Sequence, residues 1–100
     1  MKTKDQLVSL GLTEMKAEEI MLLESKMLEN AVKFQFKKKD GSIRDAEGTL
    51  DPEKMVYEDG HKWTPSADTK PYAPIWFRYF DLCVKDWRQF NVFNLIAVEG

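Results

Sequence analysis

The spacing of apolar residues changes character at Ala31. Before it, Ala17, Ile20, Met21, Leu23, Met27 and Leu28 recur at helical intervals and predict one broad apolar face. A shorter helix precedes this one. Thr3 followed by Gln6 has the spacing of a capping box, and Gly11 stands where a left-handed residue would end the segment. Thr13 then caps the longer helix, with Glu14, Glu18 and Glu19 near its positive end. The apolar face must be covered, either by the rest of the molecule or by a partner or second copy docking through Ile20, Leu23 and Met27.

From Ala31 onward the period is two. Val32, Phe34 and Phe36 alternate with Lys33, Gln35 and Lys37, the pattern of a half-buried strand, and Asp40-Gly41 supplies a tight hairpin turn. The returning segment SIRDAEGTL has poor apolar parity, and Gly48 predicts a bulge or sharp bend there. Residues 51–74 hold all four prolines and Gly60 without a sustained period, which makes a loop. Its aromatics Tyr57, His61, Trp63 and Tyr72 either lid a pocket or staple the loop to the sheet. Ile75, Phe77 and Tyr79 alternate with Trp76, Arg78 and Phe80, so the third strand is apolar on both faces and belongs inside the sheet. Arg88, Phe90 and Val92 alternate with Trp87, Gln89 and Asn91 in a fourth strand, Phe93-Asn94 turns the chain, and LIAVE closes it. The expected fold is mainly β with N-terminal helices (α+β): a small five-stranded SH3-like or Sm-like barrel over 31–100, with the long loop at 51–74, preceded by a two-helix extension over 1–30.

Composition narrows the chemistry. One hundred residues bury one core, and an apolar fraction of 43% with twelve aromatic residues in that length is that of a folded chain. No apolar run is long enough for a membrane span and no signal peptide precedes the helices, so the cytoplasm is the expected compartment. One cysteine, Cys83, excludes an internal disulfide and reads as a buried, inert thiol in a strand. With a single histidine, His61, no zinc set is available. Phosphate-binding, dinucleotide and nucleophile motifs are all missing. The chain is expected to be non-enzymatic, with no cofactor and no metal. A net charge of −2 opposes non-specific nucleic-acid binding, and the locally basic stretch is KFQFKKKDGSIR.

The two β segments together resemble a family. Lys38, Lys39, Asp40, Gly41, Arg44, Gly48, Thr49, Asp81, Trp87, Arg88, Phe90, Ile96, Val98 and Glu99 match in spacing the small Sm-like, SH3-type β-barrel proteins related to the WYL domain, over residues 32–99 outside the loop. Members of that family occur mainly in Bacteroidetes genomes and their phages. The resemblance implies the barrel fold and a bacterial or phage origin, hence a bacterial cytoplasm or an infected host's. Where related members carry F-R-x-D, this chain reads Phe90-Asn91-Val92-Phe93, and a positive and a negative charge are absent together.

Within that frame Trp87 is expected to pack, with its indole N–H on a nearby carbonyl. Arg88, facing the other way, would pair with Asp81 or Asp86 or present its guanidinium to an anion. Three functions follow. The leading one is a protein-interaction module, of the kind a phage or mobile element would use against a host machine, binding through Ile20, Leu23, Met27, Tyr57 and Trp63; the same helix face and edge strands would serve a homodimer. The alternative is recognition of RNA or single-stranded DNA by Lys33, Lys37, Lys38, Lys39 and Arg44, with Arg78 and Arg88 as further cations. The third is a small-ligand sensor by analogy with WYL domains, carried by Arg78, Arg88 and the loop aromatics.

Overall fold

In a computed structural model that describes residues 2–64 and 73–99, two helices precede a five-stranded antiparallel sheet. Tyr72 lies outside the described residues. Helix α1 spans Lys4–Ser9, and both halves of the Thr3/Gln6 capping box are present. Gly11 then adopts φ +110°, a left-handed geometry open to glycine and strained for other residues. Helix α2 spans Glu14–Glu29 and starts at Thr13, whose hydroxyl accepts from the Lys16 N–H at 3.2 Å.

The strands are β1 (Val32–Lys37), β2 (Ile43–Thr49), β3 (Trp76–Asp81), β4 (Asp86–Asn91) and β5 (Leu95–Val98), in spatial order β4-β3-β2-β1-β5. Consecutive strands β4 and β5 therefore occupy opposite edges, joined only by a 3₁₀ turn at Val92–Asn94. Four strand spacings in a flat sheet come to about 19 Å, whereas so short a link reaches about 14 Å at most. The sheet must curl toward a barrel, as expected.

Its concave side holds the core. Phe34, Phe36, Phe77, Tyr79 and Phe90 form a connected set of rings, with centroids 5.0 Å apart for Phe36 and Phe90 and 5.1 Å for Phe77 and Phe90. Leu7 of α1 and Ala17, Ile20, Leu23 and Met27 of α2 belong to the same core. The helices are thus part of one packed unit with the sheet, and the stretch 1–30 is not an appendage to it.

The poor parity of β2 has a packing cause. Its inward positions are Arg44, Ala46 and Gly48, opposite Phe36, Phe34 and Val32 of β1. A Cβ at Gly48 would overlap the Tyr79 ring, so the glycine is where the aromatic ring finds room. No bulge occurs here: the β1–β2 register is unbroken, and the shift lies instead between Gln35 and Phe36 in the pairing of β1 with β5. At Gly48 the strand passes from β1 to β3, pairing with both Val32 and Asp81. Thr49 then ties α2 to the sheet. Its buried hydroxyl lies 3.1 Å from the Met27 carbonyl and 3.0 Å from that of Asn30, satisfying acceptors a helix end leaves open.

Candidate functional site

Asp81 is fully buried, and four donors converge on it. Oδ2 accepts from Arg44 Nη2 at 2.7 Å and from the Tyr79 hydroxyl at 3.2 Å. Oδ1 accepts from the Cys83 and Val84 N–H groups at 2.8 and 3.3 Å, which turns the chain out of β3. Burial, and then the neighbouring Asp81 charge, raise the Tyr79 phenol above its ordinary pKa and keep it a donor. This cluster is internal. Arg44 pairs with Asp81 while its side chain stays partly exposed, and of the two aspartates expected as partners of Arg88, Asp81 and Asp86, the first is taken by Arg44.

Arg88 is exposed on β4 and takes part in none of the ion pairs found among the described residues. Cross-strand register sets Arg88 opposite Tyr79 and Arg78 opposite Gln89, so the two guanidiniums lie on opposite faces and do not form one anion site. Arg78 lies 5.1 Å over the Trp87 ring. Trp87 also meets Trp63 edge-on at 5.5 Å and Phe80 at 5.9 Å, and Tyr57 meets Phe80 at 5.5 Å. Tyr57 and Trp63 are half-buried in this outer layer and fasten residues 51–64 to the convex side of β3 and β4. Of the two roles open to these loop aromatics, the geometry matches the staple.

The other expected contacts are dispersed. Ile20, Leu23 and Met27 are 0% exposed, which corrects their assignment to a partner: the protein's own core covers them. The lysines Lys37, Lys38 and Lys39 are exposed at the β1–β2 hairpin, while Lys33 lies further along on the outer face of β1. Cys83 is exposed in the turn after β3 and is not the buried strand thiol its flanking sequence indicates. His61 sits in a surface turn, its Nδ1 2.6 Å from Asp59 Oδ1.

The structure adds a feature that sequence reasoning missed. A cavity of about 490 Å³ opens on the outer face of β5, β1 and β2. Its lining carries the carboxylates of Asp45, Glu47 and Glu99 against the single ammonium of Lys33, over a floor that includes Ala46 and Ala97. Its volume falls in the range of ligand sites, about 300–1,000 Å³. Gln35 donates to Asp45 across the strands and steadies that carboxylate. No histidine lines the cavity. Among the described residues no group of three or more His, Cys, Asp and Glu is placed to hold a metal ion, and no helix is long and apolar enough to cross a membrane.

The model of the WYL_2 family, described as an Sm-like SH3 beta-barrel fold, matches residues 20–96. No curated protein and no solved structure matches the chain. The matched region begins inside α2 and takes in residues 20–29 of that helix, which lie before the span 32–99 that carries the motif resemblance.

Proposed function

We propose that this chain, which belongs to the WYL_2 family of Sm-like SH3 β-barrels, is a non-catalytic interaction module that binds a partner protein on the outer face of its sheet. The cavity across β5, β1 and β2 carries the proposal: it has the volume of a binding site and no catalytic pairing in its lining. Three carboxylates against one ammonium favour a protein over a nucleic acid at this surface, since phosphates would be repelled. A role for the module in a phage or mobile element acting on a host machine is part of the same proposal and rests on the resemblance described above.

The test is affinity capture by the tagged protein from its native host, with and without nuclease. It is run beside two variants: Ala97→Trp, which fills the cavity, and a hairpin variant with Lys37, Lys38 and Lys39 changed to Glu. A protein captured in stoichiometric amount, retained after nuclease and by the hairpin variant but lost with Ala97→Trp, is the expected result. Capture of RNA or DNA that is lost with the hairpin variant and persists with Ala97→Trp would replace this function with nucleic-acid binding.

A further inference from the structure

Strand β5 is an edge of the sheet, hydrogen-bonded to β1 on one side and to no strand on the other among the described residues. The Glu99 N–H donates to the Lys33 carbonyl at 2.9 Å, toward β1. Backbone groups alternate sides along a regular antiparallel strand, so those of Ala97 also face β1 while those of Val98 face outward; at Ile96 the register shift between Gln35 and Phe36 interrupts the alternation. At the start of the edge the Leu95 carbonyl is occupied by Lys16 Nζ at 2.8 Å, and past the register shift the outward groups of Val98 meet no strand among the described residues. Unpaired donors and acceptors of this kind template an added strand.

The cavity adjoins this edge. Gln35 and Ala97 are paired across β1 and β5 with their side chains on the outer face, and Ala97 and Glu99 form the β5 side of the cavity lining. A strand laid beside β5 would set its outer-face side chains about 5 Å from those of Ala97 and Glu99. Ala97 has only a methyl group there, so a long side chain can lie over it beside the Glu99 carboxylate, while Asp45 and Glu47, on the strand beyond β1, add to the negative field of the cavity.

We infer that the occupant of this site is an extended, basic segment of a partner protein, which adds as a sixth strand to the free edge of β5 and directs a Lys or Arg into the acidic cavity. This deepens the interaction-module proposal and rests on it. Main-chain pairing supplies the affinity, and the excess of carboxylate over ammonium supplies the selection. The charge of the cavity argues for the partner's cation: Lys33 is the sole positive group among its lining residues, and it makes none of the ion pairs found among the described residues.

Three fluorescein-labelled nonapeptides test the inference, alternating Thr with Lys, Thr with Glu and Thr with Ser, each titrated against the full chain by anisotropy. The Thr-Lys peptide is expected to bind at least about tenfold more tightly than Thr-Ser, with Thr-Glu weakest. The double variant Glu47→Lys, Glu99→Lys is expected to invert that order. A Thr-Lys nonapeptide N-methylated throughout keeps its charges, cannot donate main-chain hydrogen bonds to an edge strand, and leaves the protein unchanged. It is expected not to bind. Equal binding of the three peptides, no binding at all, or binding indifferent to N-methylation overturns the inference. So does self-association of the parent that excess Thr-Lys peptide dissolves, since a second copy would then fill the edge. A captured partner still lost with Ala97→Trp would keep the module proposal standing in each of these cases, whereas peptide binding without such a partner would remove the module's physiological role and leave the edge chemistry intact.

Discussion

The two sides of β3 are built differently. On its concave side Phe77 and Tyr79 join a core that draws on both helices and all five strands. On its convex side Phe80 is equally buried, yet its cover comes from one local segment, with Tyr57 and Trp63 half-exposed above it and Trp87 beside it. A core with contributions from every element should unfold only with the whole molecule, and a layer laid on by one loop should open alone. The difference separates what specifies the fold from what is free to vary around it.

The sharpest test removes the polar anchor of the inner side. Asp81→Ala leaves Arg44, the Tyr79 hydroxyl and two backbone N–H groups without their acceptor. A loss of about 3–5 kcal/mol in urea unfolding is expected. Gly48→Ala comes next, because its methyl collides with the Tyr79 ring and must displace it; about 1–3 kcal/mol is expected from the same titration. On the outer side Trp63→Ala removes one edge contact with Trp87 and should cost only about 0.5–1.5 kcal/mol, with faster amide exchange confined to residues 51–64. An effect of Trp63→Ala as large as that of Asp81→Ala would show that the two layers are a single cooperative unit.

The smallest effect is in pH. The fold raises the Tyr79 pKa by burial and by the Asp81 charge, so the protonated phenol is the form the fold prefers. That contribution is complete below the unfolded-chain value of about 10. It is lost as pH rises above that value toward the higher value in the fold. The parent should lose about 1 kcal/mol or less by about pH 10.5 relative to its own value at neutrality, in excess of the loss in Tyr79→Phe. Matching slopes for the two proteins would place the phenol in solvent.

Much of the inner architecture was legible because it is written locally. Thr3, Gln6 and Thr13 announce the helix starts, and the alternation from Val32 to Lys37 announces β1. Strand β2 was harder to read, since its inward positions hold an ion-pair partner, a methyl and a glycine that complement rings from elsewhere. An apolar stripe on α2 told that something covers it, but periodicity carries no information on whether the cover is the same chain. The cavity was invisible for a related reason. Lys33, Gln35, Asp45 and Glu47 each read as the solvent side of a strand, and only the pairing of β5 onto β1 closes them into a concave surface. A weak signal was available in Ala97, a small residue at an outward strand position between larger ones.

The placement of β5 also bears on synthesis. Phe34 of β1 pairs with Val98 of β5, 98 − 34 = 64 residues later in the sequence. At elongation rates of about 5–20 residues per second, the second neighbour of β1 leaves the ribosome roughly 3–13 s after β1 itself. For that interval the Lys33 side of the hairpin is an open edge on a nascent chain. Charged side chains on an unpaired edge disfavour pairing with another strand, and Lys33 and Lys37 put such charges on β1 for that interval.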